Sequence, residues 1–365
     1  MYILNEIPLN VPGNTGRKPQ FKSKLAQTAV IPQYTALRKA LNVYQSLTSK
    51  EKDIMVPYAA KLSLIKPGDT ASVLPILRKR LTQLGDLTDN TTSKFYDDSL
   101  QAAVKRFKTR HGLNVDAQLN KGLVDELNVP LEKRIQQMII NLERLRWIPV
   151  DDHGGEFILV NIPEYKLHYY VDNKLAWNCR VVVGKVMTET VIFSGHLQYI
   201  VFSPYWYIPP SIIKKEIKPG MARNANYLAS HNMEWNGGNV RQLPGVKNSL
   251  GLVKFIFPNS NNIYLHDTPA KPLFTKEERA FSHGCIRVGE PRELAIRLLR
   301  NDKQWTPEKI DNAMHRGTEN TVVLKNKVPV YIGYFTAFVD SQGVLNFRKD
   351  VYNRDGRLLE LLLQN

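Results

Sequence analysis

The chain reads as an α+β protein of several domains, a helical front joined to a β-rich rear. Three observations predict this. At 365 residues the chain is longer than one hydrophobic core usually serves. Apolar residues recur at helical spacing as far as Pro149 and alternate with period two beyond it. Breaks rich in Pro and Gly, Pro67-Gly68 the clearest, punctuate the front. With 43% hydrophobic residues, including 16 Tyr, 13 Phe and 5 Trp, there is ample side chain for packed cores, so disorder is not expected.

Residues 1–69 form a helical scaffold segment. After a Pro/Gly-containing opening, a weakly amphipathic helix is expected from Tyr34 to Leu47 and a second from Ser49 to Leu62. Residues 70–129 form a small helical module. Leu74, Leu77, Leu81 and Leu84 share one helical face, and Gly85 sits where a C-cap belongs. Asp97 or Asp98 caps the next helix, which turns Leu100, Val104 and Phe107 inward and stops at Gly112. A third short helix carries Leu123 and Leu127. Residues 130–148 make a linking helix with the stripe Ile135, Met138, Leu142 and Leu145, closed by Pro149.

Residues 149–326 form the β-rich domain. EFILVN, KLHYYV, WNCRVVVG, LQYIVF, LVKFIF, NIYLHD and TVVLK alternate or run apolar with β-branched and aromatic residues, which predicts strands. An irregular polar insertion interrupts them at about 204–250, with one helix opened by Pro209-Pro210-Ser211. A connection of that length suits a lid. Residues 327–365 form a C-terminal hairpin, turning at Ser341-Gln342-Gly343, and an extension. A helix is expected from Pro291.

Lys and Arg number 50 against 34 Asp and Glu, a net charge of +16. That balance suits a polyanionic surrounding. No run of five or six basic residues occurs, so nucleic acid is not the expected partner. No apolar run reaches membrane-spanning length. The start, MYILNEIPLNVPGNTGRKPQ, has no signal-peptide layout and reads like the interior of a longer protein. Two cysteines, Cys179 and Cys285, exclude a disulfide scaffold.

The chemistry concentrates in Ser282-His283-Gly284-Cys285-Ile286-Arg287. A catalytic cysteine needs a base, a positive environment and donors for a developing oxyanion. Gly284 lets the backbone turn tightly at Cys285. If the segment is extended, His283 and Arg287 lie on the same side as Cys285. Nineteen positions upstream, His266 ends the strand-like tract NIYLHD and is a candidate base. His283, two residues before Cys285, is badly placed for direct proton transfer and is read as structural or substrate-contacting. Bland readings stand beside these: a small core cysteine, a satisfied histidine. A zinc site from His266, His283 and Cys285 is open on ligand type, although its spacing matches no common finger. Cys179 lies in a buried-looking strand and reads as inert.

Together IYLHDTP and SHGCIR resemble the signature of the L,D-transpeptidase (YkuD-like) catalytic domain, over about residues 150 to 326. VVVGK at 181–185 is similar to the strand-and-glycine segment of those domains. LRKRLTQLG, YDDSLQAAVKRFKTRHGL and the closing ELN resemble the three-helix peptidoglycan-binding module of the PG_binding_1 type. The insertion, opening with FSPYWYIPPSI, resembles the big-lid branch typified by YcbB.

The resemblance implies that Cys285 is the acylated nucleophile, His266 its general base, and the backbone of His283, Gly284 and Cys285 the oxyanion hole. It implies substrate contacts for Arg287, Tyr264, Asp267 and Ser282, with Trp206 and Tyr207 either walling the site or packing the lid. Many simpler members have Asn in place of Arg287 and Ser or Gly in place of Asp267. The implied activity forms 3→3 peptidoglycan cross-links through a Cys thioester, with release of D-alanine from a donor tetrapeptide. Variants of that chemistry transfer the acyl group to water, to a D-amino acid or to a lipoprotein lysine. A non-catalytic wall-binding scaffold is the contrasting reading. No metal or other cofactor is implied. The partners are peptidoglycan stem peptides, with carbapenem β-lactams as inhibitors. The resemblance implies a location in the periplasm or cell envelope, and a signal or anchor is expected outside this sequence.

Overall fold

The computed structural model describes residues 32–58, 60–88, 92–148 and 155–364. The expected Pro/Gly opening and Pro149 lie outside them. The chain divides into two compact units. One holds residues 1–152, 336–348 and 354–365; the other holds 153–335 and 349–353.

The first unit is helical. Helix α1 (Pro32–Lys50) buries Leu37, Leu41 and Tyr44. Three helices follow: α2 (Leu74–Gln83), α3 (Asp98–Arg110) and α4 (Lys121–Leu127). They form the module that the leucine pattern predicted. Gly85 takes φ +80, and the amides of Gly85 and Asp86 bond the carbonyls of Thr82 and Leu81, which closes α2. The Asp97 carboxylate caps α3 by accepting from the Leu100 amide at 2.8 Å. Asn120 caps α4 in the same way, accepting from Leu123 at 2.9 Å. Helix α5 (Leu131–Leu145) buries the predicted stripe.

The helix expected at Ser49–Leu62 does not form. Residues 51–58 are irregular, and a 3-10 turn follows at Ala60–Leu64. Pro57 forbids a continuous helix. The freed backbone instead bonds side chains of the module: the Val56 amide donates to Asn128 Oδ1 and its carbonyl accepts from Asn128 Nδ2, both at 2.8 Å.

The second unit is built on one mixed sheet. Its strands are β1 (Phe157–Asn161), β2 (Lys166–Val171), β3 (Lys174–Gly184), β4 (Phe193–Phe202), β5 (Trp206–Tyr207), β6 (Met233–Asn236), β7 (Asn239–Gln242), β8 (Val253–Ile256), β9 (Leu265–His266), β10 (Ala280–Ser282), β11 (Ile286–Val288) and β12 (Asn320–Gly333). The large sheet runs β10-β3-β11-β9-β8-β4-β12-β1-β2, and a further β2–β3 pairing closes the ring. Helices α6 (Pro291–Leu299) and α7 (Pro307–His315) pack on it through Leu294, Leu299, Ile310 and Met314.

The insertion at 204–250 is ordered rather than irregular. Strands β5, β7 and β6 make a separate three-stranded sheet. An almost continuous helical stretch covers Pro210–Arg223, with a π turn at Ile213–Ile217, and a short helix covers Tyr227–Ser230. Ile208, Ile217 and Val240 are its buried centre. No helix among the described residues is long and apolar enough to cross a membrane.

Candidate active site

Register brings the SHGCIR segment to the HD segment. Strand β11 lies parallel to β9, with Ile286 opposite Leu265 and Arg287 opposite His266. The Ile286 amide bonds the Tyr264 carbonyl at 3.1 Å. Strand β8 runs antiparallel on the other side of β9 and sets Lys254 opposite His266. Leu265 and Ile286 are fully buried in the core, so period-two alternation turns Lys254, His266 and Arg287 to the opposite face as one row.

The turn carrying Cys285 is clamped from two sides. Residues 283–285 form a turn: β10 ends at Ser282, β11 begins at Ile286, and Gly284 between them takes φ +116, a region open to glycine. Ser282 is buried. Its hydroxyl donates to the Cys285 carbonyl at 2.5 Å and accepts from the Gly284 amide at 3.2 Å. From the VVVGK side, Thr190 donates to the Gly284 carbonyl at 2.8 Å and accepts from the Gly184 amide at 2.9 Å. The Tyr352 hydroxyl donates to the Gly184 carbonyl at 2.6 Å. A Cβ at Gly184 would lie 2.1 Å from the Thr188 carbonyl, so glycine is required for this close approach.

Cys285 is half-buried, with Sγ 3.7 Å from the Asn262 carbonyl. Burial pushes its thiol up; the Tyr264 amide and hydroxyl pull it back, as do the charges of Lys254 and Arg287. Burial raises the Tyr264 hydroxyl first of all, with Cys285 adding to the rise and Trp206 opposing it. The ring of Tyr264 lies 5.7 Å from that of His266, and Lys254 Nζ sits 5.4 Å from its centroid.

His266 is buried, and Nδ1 faces the Asp267 carbonyl in a short hydrogen bond. A carbonyl only accepts, so Nδ1 carries the proton and Nε2 the lone pair. Burial, then Arg287 and Lys254, push the imidazole down to about 3 against the smaller opposing pull of the Asp267 and Leu250 carbonyls. The Asp267 carboxylate does not touch the ring. It accepts from the Leu252 amide at 2.9 Å and pairs with Lys271 at 2.5 Å.

His283 is half-exposed and sits 3.4 Å from Glu216 on the π turn of the insertion. Trp206 is partly buried and packs against the insertion's apolar centre. Tyr207 is exposed on β5, opposite Arg241 on β7. Both cysteines are free, and burial in β3 pushes Cys179 up to about 12. Among the described residues no group of three His, Cys, Asp or Glu is placed to hold a metal, and the zinc alternative on His266, His283 and Cys285 is not assembled.

Lys254 was missed in the sequence. Its signal was present: a lone cation in the middle of the apolar tract LVKFIF, where period two allows one face to be polar. Thr190 and Glu216 carried no comparable signal, because only the folded turn brings them near.

Residues 155–330 match the family model of the L,D-transpeptidase catalytic domain. That stretch belongs to this family. Residues 73–127 match the model described as "Putative peptidoglycan binding domain". A Haemophilus influenzae protein named "Putative L,D-transpeptidase" is 34% identical over 244 residues, 61% of this chain and 49% of that protein. The chain therefore spans about half the length of that curated relative. Among solved structures, an L,D-transpeptidase from Stackebrandtia nassauensis aligns at 14% identity and TM-score 0.29, covering 75% of this chain and 97% of its own. One from Mycobacterium smegmatis aligns at 11% and 0.28, covering 49% and 58%. Scores this low carry no weight for the transpeptidase domain. The stretch matched by the family model contains Cys285, His266 and Arg287.

Proposed function

We propose that the chain cross-links peptidoglycan stems by two acyl transfers through Cys285. In the first, Cys285 Sγ attacks the carbonyl that joins the L-configured centre of the third stem residue to a terminal D-alanine. His266 Nε2 takes the thiol proton. The C–N bond breaks, the imidazolium returns the proton to the leaving nitrogen, and a thioester remains. In the second, an amine of a neighbouring stem attacks the thioester, His266 takes the amine's proton, and Cys285 leaves as the thiol. The product is a 3→3 cross-link.

The observation that carries this reading is the row on one sheet face: His266 with a fixed Nδ1–H bond, Arg287 opposite it on β11, and Cys285 one turn residue before β11. The Gly284 amide is already engaged by Ser282, so the oxyanion donors in this reading are the amides of His283 and Cys285. Asp267 and Ser282 act as positioning residues, since both are buried and spent on backbone contacts. The ordered insertion serves as a lid of the YcbB-type branch, and excluding water under it favours an amine acceptor over hydrolysis. A carbapenem acylates the same thiol. The helical module holds the enzyme to peptidoglycan in the cell envelope.

Intact-mass analysis after incubation with disaccharide-tetrapeptide tests the reading. The expected result is loss of D-alanine, a transient thioester adduct on Cys285 and a cross-linked dimer. Absence of any adduct, with Cys285→Ala behaving like the unaltered chain, sinks it. Release of D-alanine without dimer gives the hydrolytic variant instead.

A further inference from the structure

Lys254 and Arg287 stand one on each side of His266, in register across β8, β9 and β11. Both are only partly exposed. Among the described residues neither has a carboxylate within ion-pair distance, and Arg287 Nε is buried with no hydrogen-bond partner. Two half-buried cations beside a neutral imidazole repel each other and are costly to desolvate. An anion arriving between them relieves both penalties.

The reaction itself says where an anion arrives. His266 must hand a proton to the leaving nitrogen, so that nitrogen lies against the imidazole. The carboxylate carbon of an α-amino acid is two bonds from its nitrogen, about 2.5 Å in space. Cross-strand side chains stand about 4.5–5.5 Å apart. A leaving residue over His266 therefore presents its carboxylate within reach of a cation in the same row. Resting on the acyl-transfer reading above, we propose that Lys254 and Arg287 hold the free carboxylate of the leaving residue, and that Lys254 makes that carboxylate a requirement for turnover.

Lys254 also lies over the Tyr264 ring, so its stem could serve packing alone. The test separates the two roles. D-alanine release by the full chain is measured from disaccharide-tetrapeptide and from its C-terminal amide, and kcat/KM for acid and amide are compared. The unaltered chain is expected to prefer the acid by on the order of tenfold or more, the size of a lost hydrogen bond to a charged group. Lys254→Met should bring the ratio near one, and Lys254→Arg should restore it. The proposal is overturned if the unaltered chain uses acid and amide alike, or if Lys254→Met lowers both rates by one factor. If the unaltered chain releases no D-alanine from either substrate, the acyl-transfer reading fails first and takes this inference with it.

Discussion

Burial and the Arg287 guanidinium hold the His266 imidazole down at about 3, while burial lifts the Cys285 thiol. At neutral pH the pair rests as thiol and neutral imidazole rather than as an ion pair, which in the proposed reaction leaves the base free before substrate arrives. Acylation by a carbapenem should therefore fall little between pH 7 and pH 5. A histidine at its ordinary value would be mostly protonated at pH 5 and cost more than about tenfold. Stopped-flow acylation rates across that range decide the matter; an inflection near pH 6.5 contradicts the geometry. Stability follows the same sign. The folded value lies below the unfolded one, so the unfolded chain binds the proton first. The stabilisation is complete above about 6.5 and is lost as pH falls towards about 3. At this scale the sequence was most legible. A Cys after a Gly and a His closing a strand announced themselves by type. The split roles of Asp267, carbonyl to the ring and carboxylate to Leu252 and Lys271, did not, because they depend on backbone direction.

Periodicity located most elements because each buries one face. The helices of the module and the strands β1 to β4 follow their apolar patterns directly. Two elements resisted. Residues 51–58 look helical by composition but spend their backbone on Gln83 and Asn128, a tertiary choice no local pattern encodes. The insertion looked irregular because its strands are only two to four residues long and its core has three buried side chains. That small core makes a prediction. Val240 is fully buried on β7, the middle strand, and its carbonyl accepts from the Ile208 amide at 3.0 Å. Val240→Ala removes two methyl groups and should cost the insertion about 2 kcal/mol from lost burial and the cavity left behind. Amide exchange is expected to quicken at Trp206–Tyr207 and Met233–Gln242 and to stay unchanged in β4 and β12. Equal quickening in the large sheet would mean that the insertion is not a separate cooperative unit.

The whole chain is not two beads cut at one point, since the helical unit takes in residues 336–348 and 354–365 from the far end. A hairpin of Ala337–Val339 and Leu345–Phe347, turning at Ser341-Gln342-Gly343, brings Phe347 into that unit, fully buried. Its ring stacks 5.5 Å from His111, meets Tyr44 edge-on at 6.0 Å, and lies under the Arg134 guanidinium at 4.6 Å. Thr336 adds a bond from its amide to Asn141 Oδ1 at 2.9 Å, and Arg144 pairs with Asp355 at 2.6 Å. These contacts join residues about two to three hundred positions apart, which is why hydrophobic period and turn chemistry could find the hairpin but not its destination. Phe347→Ala should therefore destabilise helices α1, α3 and α5, far from it in sequence, by about 3–5 kcal/mol, the usual cost of emptying a buried Phe site. Calorimetry of the full chain reads this as an earlier melting step. Limited proteolysis then assigns it, with new cuts expected in α1 and α3 while the β-sheet unit stays protected. If the first cuts fall in the sheet unit instead, Phe347 does not anchor the helical unit.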